Sequence, residues 1–132
     1  MKLFKQFFQS SLILEQAFSA ETKPVLQDFV NFCKNHLNLS NSAKVTFLSE
    51  FSEEITTGGY QTEKKQIYIY TKDRALVDVL RSIAHELVHQ KQDEDGALKA
   101  GSGETGSDHE NEANATAGVI MRLYQKDNKN IY

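Results

Sequence analysis

The sequence predicts an α+β fold: N-terminal helices, a small sheet of about three strands, a long helix and a C-terminal helix. Three patterns predict it. Apolar residues recur at helical spacing in Val25, Leu26, Phe29, Val30, Cys33 and Leu37. The period then shortens, and Ile67 and Ile69 alternate with Gln66, Tyr68 and Tyr70. Helical spacing returns in Leu76, Val79, Leu80, Ile83 and Leu87, the strongest apolar stripe of the chain. With 132 residues, one domain spanning 1–132 is expected, large enough to bury a core.

The elements follow in order. Leu3 to Phe18, with Phe4, Phe7, Phe8, Ile13 and Leu14, suggests an irregular amphipathic helix. Ala20 to Lys23 is a break, and Pro24 suits the first turn of a second helix that runs to about Leu37. Asn38 to Ser42 is rich in turn residues. Lys44–Leu48 reads as a strand, Thr56–Thr62 as a second one weakened by Gly58 and Gly59, and Gln66–Tyr70 as the clearest third. Glu63, Lys64 and Lys65 form the turn between the last two strands. Asp73 is an N-cap candidate for the helix that continues to about Gln92. Asp93 to Gly106 is a polar, Gly-containing loop, and its Gly-rich stretch Gly101-Ser102-Gly103-Glu104-Thr105-Gly106 is a candidate lid. It lacks the ending of a phosphate loop, and no strand precedes it. Ser107 and Glu110 fit a capping box that opens a last helix to about Lys126.

Composition narrows the function. Apolar residues make up 39%, charged residues 25%, and the net charge is -3, with no basic cluster. A nucleic-acid surface is therefore not expected. The single cysteine, Cys33, excludes an intrachain disulfide and a thiolate zinc cluster, and its place in an apolar helical stripe reads as packing. No stretch suits a membrane span, and Gln6, Gln9 and Glu15 spoil any secretory signal, so a cytoplasmic protein of a cell or a virus is expected.

The chemistry lies in His85-Glu86-Leu87-Val88-His89, inside the best helix. Residues i and i+4 share a helical face, so two imidazoles meet one metal ion. Glu86 is turned about 100° away from His85 and suits a general base acting on water at that metal. Chance placement gives such a motif in roughly 1% of shuffled chains of this composition. A catalytic zinc wants a third protein ligand and an open position. Asp93, Asp108, His109, Glu110 and Glu112 are the candidates. Asp93 lies on the same straight helical face as both histidines, and Glu110 is assigned to the capping box. Glu112 is the expected ligand, one turn into the last helix, where Ala113 permits close helix packing. His109 remains open as a ligand or a hydrogen-bond donor. His109, Tyr60 and Tyr124 are the candidates for stabilising an oxyanion.

His85-Glu86-x-x-His89 followed by Asn111-Glu112-Ala113 resembles the gluzincins, the thermolysin-like zinc peptidases, and in particular their minimal, immunity-type group. The resemblance spans about Thr56 to Tyr124. It implies a Zn2+ site of His85, His89 and Glu112, with Glu86 activating water and a peptide or protein as substrate. It also implies that the strand Gln66–Tyr70 pairs with an extended peptide. Members orient a ligand histidine with an acid one turn after the ligand Glu; that place is Thr116 here. The competing expectation is a catalytically inactive zinc-binding protein or viral structural protein of the same fold.

Overall fold

The computed structural model describes residues 12–13, 22–49, 57–98 and 107–131. In chain order these form β1 (Leu12–Ile13), α1 (Thr22–Leu37), β2 (Lys44–Leu48), β3 (Gly58–Gln61), β4 (Gln66–Tyr70), α2 (Leu76–Glu94), α3 (Asp108–Asp127) and a closing 3-10 turn (Lys129–Ile131). The α+β expectation holds. The sheet order is β1-β2-β4-β3, with β1 a two-residue addition to the expected three strands.

Pro24 stands in the first turn of α1, where its missing N–H costs no helical bond. Asn38 ends that helix in the left-handed conformation (φ 55°), and Leu39 N–H donates back to the Lys34 carbonyl. β2 and β4 pair in parallel, Val45 opposite Ile67 and Phe47 opposite Ile69. β3 pairs antiparallel with β4, Gly58 opposite Ile69 and Tyr60 opposite Ile67. The turn between them carries Lys65 at φ 51°.

Alternation along β4 sends Ile67 and Ile69 into the main core, while Tyr68 joins Leu48 in a second small buried cluster. Phe29 and Cys33 of α1, Phe47 of β2, Leu80, Ile83 and Leu87 of α2 and Ile120 of α3 are fully enclosed in the main core. Burial raises the Cys33 thiol far above its ordinary pKa, as suits a packing residue. Tyr124 of α3 stands edge-on to Phe29, with ring centroids 4.9 Å apart, and its hydroxyl donates to Asp28 Oδ2 at 2.7 Å.

Two expected elements differ. Leu12–Ile13 lies in a strand, paired in parallel with Val45 and Thr46, rather than in a helix. Main-chain bonding to the sheet there outweighs a weak and irregular apolar stripe. The rest of the expected first helix lies outside the described residues, as does the candidate lid, within residues 99 to 106. Asp73 does not cap α2. It is left-handed (φ 58°), and the N-cap is Ala75, which makes no side-chain cap. The chain reverses direction between β4 and α2 there, and Asp is among the few residues that accept this conformation. Arg74 fastens the junction instead, donating to the carbonyls of Thr57, Tyr70 and Asp78 and to Ser82 Oγ at 2.7–3.0 Å. No helix among the described residues is long and apolar enough to cross a membrane.

Replacing Tyr124 with Phe removes a charge-assisted bond between α1 and α3 while keeping the ring. Chemical denaturation should show a loss of about 1–2 kcal/mol, with metal binding unchanged.

Candidate metal centre

The packing of α2 against α3 is the most extensive between any two elements. Ala113 and Ala117, buried on α3, let the two axes approach closely. Extending this buried stripe backward by one turn reaches Glu110. Its carboxylate spans the two imidazoles of α2. Oε2 lies 2.9 Å from His85 Nε2 and Oε1 lies 2.9 Å from His89 Nε2. The two rings stand nearly perpendicular, with centroids 4.8 Å apart. The three donor atoms lie within 4.8 Å of one another, so the group can hold a metal ion.

The third member of the cluster is thus Glu110, not the expected Glu112. Two residues along a helix is a turn of about 200°, so the two side chains leave α3 from different faces and only that of Glu110 meets the imidazoles. Glu112 is exposed and accepts a hydrogen bond from Gln92 Nε2 at 2.7 Å. The capping box is real in its serine half, because Ser107 Oγ accepts from Glu110 N–H at 3.1 Å. The Glu110 carboxylate is directed to the histidines.

The surroundings fit a cation. Gln92 Nε2 donates to the His109 carbonyl at 3.0 Å as well as to Glu112. Both amide protons are therefore used, and Gln92 Oε1 must accept from His89 Nδ1 at 2.8 Å. That network places a proton on Nδ1, and whenever Nε2 carries none its lone pair faces a carboxylate oxygen 2.9 Å away. Two acceptors at that separation repel unless positive charge sits between them. One metal ion would relieve both histidine–carboxylate contacts at once. Two imidazoles and one carboxylate form a donor set that suits a divalent metal ion.

The position one turn after Glu110 is Asn114, and its side chain hydrogen-bonds His85. The orienting group implied for Thr116 thus moves back by two residues together with the ligand. Burial lowers the His85 pKa more strongly than Glu110 raises it, which favours the neutral, ligating ring.

Glu86 is 6% exposed and lines the same cleft as the cluster. Desolvation pushes its carboxyl up to about 7, with His89 opposing the rise and Glu110 adding to it. Room for Glu86 depends on Gly58. A Cβ there would stand 3.0 Å from Ile69 Cδ1, 3.3 Å from Glu86 Cγ and 3.3 Å from the Tyr68 carbonyl oxygen.

The cleft holds about 830 Å³. β3 and the hairpin turn (Thr57, Gly58, Gly59, Tyr60, Thr62) form one wall, and α2, with Glu110 and Asn114 of α3, forms the other. Tyr60 donates to Asp93 Oδ2 at 2.6 Å, and Lys65 Nζ lies 3.0 Å from the same oxygen, which ties the hairpin to the end of α2.

Of the three expected oxyanion donors, only Tyr60 lines the cleft, with its hydroxyl directed to Asp93. Tyr124 is 14 residues beyond Glu110, about 21 Å along the helix, and packs against α1. His109 is not among the cleft residues. β4 is flanked on both sides by β2 and β3, so it has no edge to offer a peptide. Among the described residues, the outer strand beside the cleft is β3. Gln92 was not foreseen. No sequence spacing announces a long-range amide bond, although a Gln three residues past the second histidine lies within reach of its ring.

No protein-family model, no curated protein and no solved structure matches the chain.

Two measurements check the site. Zinc titration should show one ion per wild-type chain. Glu110→Ala should weaken its binding by more than about 100-fold, and Glu112→Ala by clearly less, within the about 10- to 100-fold of a group outside the ligand sphere. The second concerns the metal-free protein. The Glu86 carboxyl rises from 4.5 in the open chain to about 7 on folding, so the folded state holds this proton more tightly. This favours folding below about pH 4.5 and is lost as pH climbs through 7. Glu86→Gln escapes that loss. Its melting temperature should match wild type below about pH 4 and exceed it by several degrees at pH 8.

Proposed function

We propose that this protein is a zinc-dependent metallopeptidase that hydrolyses peptide bonds, with His85, His89 and Glu110 as ligands and Glu86 as general base. The observation that carries the reading is the convergence of those three donors beside a buried, proton-poised carboxylate in one cleft. The pattern resembles the gluzincins, with Glu110 in the role that the sequence alone suggested for Glu112.

When bound, zinc supplies Lewis acidity, which polarises a carbonyl and brings the acidity of water toward neutral pH. Glu86 takes a proton from the attacking water and returns it to the departing amine. In the metal-free protein burial brings this carboxyl up to about 7, and a bound dication would draw it back toward the ionised form that a general base needs. Its burial keeps bulk water from competing for that proton. An extended peptide laid along the outer edge of β3 would gain main-chain bonds and pass its scissile carbonyl over the His85–Glu86 turn. Gln92 holds the His89 ring by its Nδ1, and Asn114 hydrogen-bonds His85.

A non-catalytic zinc protein would not need Glu86 to be buried at the cleft. A closed structural site would also want a fourth protein ligand, and the cluster among the described residues has three.

Incubation of the zinc-loaded protein with a diverse peptide library, read by mass spectrometry, should yield new termini that chelation abolishes. Glu86→Gln should keep its zinc and lose about 10²- to 10⁴-fold in rate, the usual worth of a general base. A zinc-loaded wild type that cleaves nothing would leave the non-catalytic reading in its place.

A further inference from the structure

We infer that Gln92, backed by Glu112, is the positioning residue that fixes His89 as a metal ligand and sets the α3 turn carrying Glu110 in register with it. The inference rests on reading the His85, His89 and Glu110 cluster as a metal site, and goes beyond it by assigning roles to two residues outside the ligand set.

Gln92 is 4% exposed, and three of its four hydrogen-bonding directions are used on groups around the cluster. Oε1 meets His89 Nδ1 at 2.8 Å, and Nε2 meets the His109 carbonyl at 3.0 Å and Glu112 Oε1 at 2.7 Å. A buried amide with a packing role alone is satisfied by any backbone partners. This one cannot rotate by half a turn without setting its carbonyl against another carbonyl and a carboxylate. Its orientation therefore dictates the tautomer of His89, with the proton on Nδ1 and the lone pair of Nε2 facing the cleft. The carboxylate of Glu112 makes the strongest of the three bonds, because an ionised acceptor shortens and strengthens it.

The two groups that Gln92 Nε2 grips, residues 109 and 112, flank Glu110. One amide thus holds the histidine on α2 and the turn of α3 that supplies the carboxylate. Glu112 is tied to metal binding through this chain of two hydrogen bonds, without touching the ion.

The test compares wild type, Gln92→Leu and the exchange Gln92→Glu/Glu112→Gln. In the exchange, a carboxylate still accepts from His89 Nδ1 and the new amide at 112 donates to that carboxylate, while the bond to the His109 carbonyl is given up. Two readouts are taken at pH 8. One is the affinity for zinc ion alone, by competition with a chromogenic chelator. The other is the tautomer of His89 in metal-free protein, from nitrogen NMR of histidine-labelled samples. Wild-type His89 should carry its proton on Nδ1. Gln92→Leu should bind zinc about 10- to 100-fold more weakly, with a mixed tautomer. The exchange should recover affinity to within about 10-fold of wild type and restore the Nδ1–H form.

Wild-type His89 protonated at Nε2 and not at Nδ1 would overturn the inference whatever the variants do. So would a folded Gln92→Leu that binds zinc within about threefold of wild type and keeps a pure Nδ1–H ring. Should Gln92→Leu fail to fold, a folded exchange variant with an Nε2–H ring overturns it equally. A wild type that binds no zinc but carries the Nδ1 proton would instead sink the metal reading and leave the tautomer assignment standing.

Discussion

Everything at the cleft depends on how closely α3 lies along α2. The two helices meet over Ala113 and Ala117, which present nothing larger than a methyl group. A larger residue at either place would push the axes apart, and cores resist such insertion. At the end of this close seam, Glu110 reaches two imidazoles from a neighbouring helix with both carboxylate oxygens. The site is therefore an outcome of core packing. The apolar stripe that stabilises the domain also aims its polar end.

The same economy governs Glu86. Its neighbours on α2, Leu87 and Val88, are buried, and the helix turns Glu86 inward against β3. Burial that would be a liability elsewhere brings the carboxyl near neutrality, where a proton is easily gained and lost. The fold bears that cost at one position and offsets it with a continuous core that runs from Phe29 through Phe47 and Ile69 to Ile120.

Much of this was legible in the sequence, and the failures are instructive. The helical faces of α1 and α2 and the strands at Lys44–Leu48 and Gln66–Tyr70 follow from periodicity, which is local information. The pairing of His85 with His89 follows from the same geometry. The third ligand does not, because it comes from another helix. Even so, the stripe Ala113, Ala117, Ile120 and Tyr124 pointed back to Glu110, and the capping-box motif drew attention from it. A motif names what a side chain is able to do, and Glu110 was able to do two things. Ser107 caps the helix without the help of that carboxylate. The strand at Leu12–Ile13, the staple formed by Arg74 and the bonds of Gln92 all depend on partners more than ten residues away or on a single reversal of the chain. Such contacts leave no period to read. The resemblance also implied a peptide along β4, whose edges are taken by β2 and β3.

Gly58 carries a consequence for how this chain tolerates change. The space above its Cα is already shared by Ile69, the Glu86 stem and a fixed carbonyl of the adjacent strand. A methyl group there would have to displace a flexible neighbour by a few tenths of an ångström, and the movable ones are a core side chain and the base itself. Variation at this strand position would thus be felt first as altered chemistry and only second as lost stability. A library meant to diversify the cleft would leave residue 58 as it is and sample Thr57, Thr62 and Leu98, which line the same space.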